Sequence, residues 1–153
     1  MLVGGGIGIT PIVSILKDIY ECERDKASHR KICAMNVHLV WIMPHASEAD
    51  LFLDLLMNYR QRSVEDTSLP RLILSIHITR DDPAVRNKGH ILFSKPDFAS
   101  LMEDCISSRH NGATSILVYA CGPGRMVNQL WDASMKKTSK LIRVDFHHES
   151  FEF

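Results

Sequence analysis

The segment Gly4-Gly5-Gly6-Ile7-Gly8-Ile9-Thr10-Pro11 constrains this chain more than any other stretch. Four glycines within five positions separate the apolar residues Met1-Leu2-Val3 from a run in which Ile12, Ile15, Leu16 and Ile19 recur at helical spacing. A glycine turn joining a strand to a helix leaves bare backbone amides at the positive end of the helix dipole, which suits a phosphate. Thr10 followed by Pro11 reads as the N-cap and first residue of that helix. Two familiar phosphate loops are excluded by inspection. No Lys-Ser or Lys-Thr follows the last glycine, and Ile9 stands where a dinucleotide fingerprint begun at Gly4 and Gly6 needs its third glycine. Glycines also serve merely to make tight turns, but their density here favours a nucleotide.

The rest of the chain alternates strand and helix signals. Charged residues from Glu21 to Lys31 form a loop, and Asn36 to Met43 is a nearly continuous apolar run, as in a strand buried on both faces. Ser47 with Asp50 resembles an acidic capping box. Leu51, Leu55 and Leu56 then supply the stripe of a second helix, closed by polar residues from Gln61 to Ser68. Leu72 to Thr79 alternates as a third strand, and Arg80 to Gly89 reads as a surface loop. Pro96 and Asp97 open a third helix carrying Phe98, Leu101, Met102, Cys105 and Ile106. Ser115 to Cys121 is a fourth strand, Gly124 to Lys137 a fourth helix opened by Pro123, and Leu141 to Phe146 a last strand, with a tail from His147. This order implies right-handed crossovers and predicts an α/β fold, three-layer α/β/α, with a five-stranded parallel sheet.

Composition removes several functions. The 153 residues suffice for one domain, and the balance of 18 basic against 18 acidic side chains supplies no field for nucleic acid. Cys22, Cys33, Cys105 and Cys121 form no Cys-x-x-Cys pair, so zinc and dithiol chemistry lack their spacing, and a reducing compartment with free thiols is expected. No apolar run approaches the ~20 residues that span a bilayer, and no leader pattern is present. The brevity of Met1-Leu2-Val3 as a strand predicts a fragment of a longer protein.

With Cys121-Gly122-Pro123 and Gly124 closing the fourth strand, the Gly4–Pro11 run resembles the nicotinamide-nucleotide domain of the ferredoxin reductase superfamily, in its ferric reductase and NADPH oxidase branch. The resemblance covers nearly the whole chain. It implies the ferredoxin reductase-like C-terminal NADP-linked fold, with residues 1–153 as the NAD(P)H-binding domain of a larger flavoprotein whose FAD barrel and membrane haem domain lie outside this chain. NADPH, with NADH as the alternative, is the implied ligand; FAD and haem are implied cofactors of the full-length protein, and its FAD-binding domain the implied partner. No nucleic acid partner and no membrane insertion by this fragment are expected, and its implied location is the cytosolic face of a membrane. The implied reaction passes hydride from NADPH to FAD and electrons through haem to ferric iron. A superoxide-generating oxidase module, an NADH-dependent cytochrome reductase and a non-catalytic regulatory domain are the alternatives.

The resemblance also implies site residues. Gly4, Gly5, Gly6, Ile7, Gly8, Thr10 and Pro11 would hold the dinucleotide, facing Cys121, Gly122 and Pro123 across one crevice at the carboxyl ends of the strands. Cys121 would lie near carbon 4 of the nicotinamide; taken alone it reads as a buried core thiol. The tail, His147 to Phe153, implies a terminal aromatic that covers flavin, assigned to Phe153 with Phe151 packed below, and Glu149 joins Cys121 and Phe153 at the reacting rings. His147 and His148 are adjacent on an extended chain and point to opposite faces, so no metal site is expected. Thr79 and Arg80 close the third strand where relatives grip the 2′-phosphate, and Lys88 adds charge from the loop beyond. Pro44-His45 stands where NADPH oxidases carry an arginine; His45, largely neutral at pH 7, is a weaker contact to phosphate or adenine.

Overall fold

The structure, a computed structural model, describes residues 1–21, 34–81, 91–108 and 114–151. Its centre is a short strand, β1 (Leu2–Gly5), paired in parallel with β2 (Asn36–Met43) on one side and β5 (Ser115–Pro123) on the other. With β3 (Arg71–Ile78), β4 (Ile91–Leu92) and β6 (Arg143–Phe151), the described residues make a six-stranded parallel sheet in the order β4-β3-β2-β1-β5-β6. The chain winds outward from β1 to β4, then returns to place β5 against β1. That reversal opens a crevice beyond the carboxyl ends of the central strands, the usual ligand position in such sheets.

Helices α1 (Ile9–Glu21) and α2 (Leu53–Glu65) cover one face, and α3 (Phe98–Ser107) and α4 (Gly124–Lys137) the other. Ile12 and Leu16 are wholly buried against Leu39, Trp41 and Met43. Each contributes about 1.5–3 kcal/mol at most by apolar burial. On the opposite face Met102, Val127 and Leu130 pack on Val3, Val40, Val118 and Ala120. The apolar run of β2 is thus explained by burial on both sides, and the three layers match the expected architecture.

Several boundaries differ from the sequence expectation. The sheet has six strands rather than five because β4 is only two residues long, too short to show a pattern. Thr10 and Pro11 are not the N-cap and first residue of α1: a 3-10 turn over Gly6–Gly8 runs directly into a helix beginning at Ile9. Pro11 still falls in the first turn, where its missing N–H costs nothing. Ser47 and Asp50 form no capping box, since Ala46–Leu51 is itself a 3-10 turn and α2 starts at Leu53 without a side-chain cap. Leu51 is 75% exposed, and the buried face of α2 is Leu56, Tyr59 and Ser63. Asp97 does cap α3, accepting from the Ala99 N–H at 3.0 Å and the Ser100 hydroxyl at 2.8 Å.

The largest difference concerns the carboxyl end. The last strand starts at Arg143 and continues to Phe151, so His147 to Phe151 is strand rather than tail. Its backbone is paired with β5, with Cys121 opposite Glu149 and Pro123 opposite Phe151. Among the described residues no helix is long and apolar enough to cross a membrane.

Candidate functional site

The glycine segment is shaped by its neighbours. Gly6 takes a left-handed φ of 53°, and a Cβ there would meet nothing within 4 Å, so its bare backbone faces open space. The carbonyl of Gly6 accepts a 3.0 Å hydrogen bond from the indole N–H of Trp41, which is only 2% exposed. Gly8 sits so close to Cys121 that a Cβ would lie 2.1 Å from the Cys121 carbonyl oxygen. On Gly5, a Cβ would lie 2.8 Å from the Pro123 ring, and one on Gly122 would lie 3.1 Å from the Gly5 backbone. The glycine turn and the Cys-Gly-Pro strand end are therefore one packed unit.

A crevice of about 500 Å³ opens over this unit. Gly5, Gly6 and Ile7 form its floor; Ile42, Met43, Pro44 and Glu48 line it from the end of β2, Thr79 and Arg80 from the end of β3, and Pro123, Met126 and Phe151 from the opposite side. The ends of β2 and β3 are tied together by bonds from the Thr79 N–H to the Met43 carbonyl (2.9 Å) and from the Arg80 N–H to the Pro44 carbonyl (3.0 Å). A second hollow of about 680 Å³ lies over the start of α4, and Pro123 and Phe151 form the wall the two share.

The residues singled out in the sequence take up different places. Gly5, Gly6, Ile7, Thr79, Arg80, Pro123 and Phe151 line the crevice. Gly4, Gly8, Cys121 and Gly122 are buried immediately behind it, with Gly4 opposite Cys121 in the sheet. Thr10 and Pro11 lie in the first turn of α1, off the crevice wall; the Thr10 hydroxyl is bonded to the Ile7 carbonyl at 2.8 Å. His45 also stands off the wall, its Nδ1 bonded to the Asp81 carboxylate at 2.7 Å. Lys88 and Phe153 lie outside the described residues, as do Cys22 and Cys33. Glu48 and Met126 carry no signal in the sequence and Trp41 only that of a strand aromatic, because the folded sheet alone brings them to the glycine turn and its crevice.

Electrostatics around Cys121 keep its thiol neutral. Burial pushes its pKa up, and the negative charge of Glu149 adds to that. Tyr119, on the same face, is pushed up to about 12 by burial first, then by its hydrogen bond to Glu149 and the charge of Glu149, with the Cys121 thiolate adding to it once that thiol ionises.

Two solved structures share this fold. The chain matches the CS-b5R domains of human Ncb5or in the NAD+ form (TM-score 0.62, 20% identity, 95% of this chain and 35% of that one). It also matches the Amycolatopsis cytochrome P450 reductase GcoB (TM-score 0.54, 22% identity, 97% and 37%). The class defined by these matches is a parallel-sheet α/β fold of the kind found in such reductases. Within that class a family model, the ferric reductase NAD binding domain, matches residues 1–90, and the chain belongs to this family. It is similar to the dual oxidase of Drosophila melanogaster (24% identical, 99% of this chain) and dual oxidase 2 of Rattus norvegicus (25%, 99%). Dual oxidase 1 of Caenorhabditis elegans is 23% identical over 80% of the chain. The chain spans 10–11% of the length of these three relatives.

Proposed function

We propose that the crevice binds NADPH and that the domain presents its nicotinamide to FAD held by another domain of a larger membrane flavoprotein. The observation that carries this reading is the convergence of the glycine turn, Arg80 and the Pro123–Phe151 wall on one hollow. Its volume falls in the range of small-molecule sites, and the open backbone at Gly6 leaves room for a pyrophosphate where a side chain would stand. In this reading Gly5, Gly6 and Ile7 hold the pyrophosphate, and Arg80 takes the 2′-phosphate with its planar fork. Pro123 meets the nicotinamide end, and Cys121 behind it fixes the shape of that wall. When bound, NADPH supplies a hydride, two electrons and a proton, to the flavin. The protein's own part is orientation and exclusion of water.

Calorimetric titration of the chain with NADPH and NADH tests the reading: saturable binding is expected, and no heat from either at millimolar concentration overturns it. The domain would stand on the cytosolic face of a membrane, and membrane haem would carry the electrons onward to external ferric iron, a role supported by the family to which the chain belongs. Similarity to three dual oxidases favours oxygen as a second reading. Ferric-chelate reduction measured against superoxide formation by the full-length protein decides between them.

A further inference from the structure

Beside the ends of β2 and β3 the crevice carries two opposite charges. Among the described residues its charged lining consists of Glu48 and Arg80. Arg80 is brought there by the bond from its N–H to the Pro44 carbonyl. Glu48 arrives by a different route: the 3-10 turn Ala46–Leu51 folds over the end of β2, with the Glu48 N–H bonded to the His45 carbonyl at 3.1 Å. That turn is anchored from β3, because the Asp81 carboxylate accepts from the Ala46 N–H at 2.7 Å and from His45 Nδ1 at 2.7 Å. Asp81 is thereby committed to the turn, whereas neither the Glu48 nor the Arg80 side chain has a hydrogen-bond or ion-pair partner among the described residues.

The two charges ask for different ligands. A guanidinium attracts a 2′-phosphate. A carboxylate repels that phosphate but accepts hydrogen bonds from an unmodified ribose, as the acidic residue of NAD-specific sites does. A site built for the phosphate alone has no use for Glu48 on the same wall.

Resting on the reading that this crevice holds a dinucleotide, we infer that Glu48 is a specificity-determining residue: its carboxylate binds the free adenosine ribose and sustains NADH affinity where Arg80 alone would select NADPH. The wall therefore accepts both nucleotides, and the balance between them is set by one side chain. The His45–Asp81 anchor holds Glu48 in place and does not itself touch the nucleotide.

The test titrates the wild-type chain, Glu48→Gln and Glu48→Lys with NADPH and with NADH. The isosteric Gln variant keeps the shape of the turn while removing the charge. It is expected to tighten NADPH and weaken NADH, moving the ratio of their dissociation constants by roughly tenfold, the scale of one nearby charge in a partly solvated site. Lysine moves the ratio further in the same direction, and added salt shrinks the NADPH gain. An unchanged ratio in both variants, with binding intact, overturns the role of Glu48 alone. Absence of binding by the wild-type chain overturns the nucleotide reading and this inference with it.

Discussion

Gly8 and the carbonyl of Cys121 are in such close approach that a methyl group on Gly8 would lie 2.1 Å from the carbonyl oxygen. The contact is with backbone, which cannot rotate away as a side chain can. Gly8→Ala must therefore push the glycine turn off the end of β5. We expect a stability loss of about 1–3 kcal/mol, as for other overpacked sites, together with loss of nucleotide binding. Gly124→Ala, where a Cβ meets nothing within 4 Å, is the matched control. Urea unfolding midpoints that agree for the two variants would contradict this packing.

Trp41 fixes the turn from the other side. Trp41→Phe keeps an aromatic ring in the core but leaves the Gly6 carbonyl without its indole donor. The lost hydrogen bond costs about 1 kcal/mol of stability, and the freed turn should weaken NADPH and NADH alike. Denaturation with parallel calorimetry checks both effects; affinities equal to wild type would show that Trp41 serves the core alone.

Arg80 should discriminate where Trp41 does not. Arg80→Ala is expected to weaken NADPH by about 10- to 100-fold, the worth of a charge-assisted hydrogen bond, with a much smaller effect on NADH. Equal losses for the two nucleotides would remove the 2′-phosphate from Arg80.

Stability should fall on both sides of neutrality. Burial lowers the pKa of His38 and of His77, whose Nδ1 is bonded to the Ser94 carbonyl. The unfolded chain then takes up protons below about pH 6.5 that the folded chain refuses, so stability falls as pH drops through that window. On the alkaline side burial raises Cys105 and Cys121, and it pushes Tyr59 and Tyr119 up to about 12, with Tyr20 raised as well. Here the unfolded chain releases protons first, so stability falls from about pH 9 upward. Thermal midpoints measured from pH 5 to pH 11 should trace a dome, and a monotonic rise across that range would rule the scheme out.

How much of this is legible in the sequence depends on how local each signal is. The limits of β2 and α4 are legible in the sequence, because a nearly continuous apolar run and a Pro-Gly start followed by terminal lysines are written in consecutive residues. The sequence shows β6 only as far as Phe146, because His147 to Ser150 are exposed and polar and nothing in their own pattern demands a strand. Pairing with β5 supplies the missing reason: its exposed edge offers backbone partners as far as Pro123. The start of α1 is hidden in the sequence for a similar reason, since the 3-10 turn over Gly6–Gly8 is held by Trp41 and Cys121, both distant in sequence.

The sequence by itself determined the layered α/β plan, the family and the glycine turn, because periodicity and the tolerance of glycine for a left-handed backbone act over a few neighbouring residues. Only the tertiary structure decided that Glu48 and Arg80 share one wall, that Cys121 lies behind the crevice lining, and that Phe151 separates two hollows. Those relations follow from strand register and from turns anchored by distant partners such as Asp81, which no local pattern encodes.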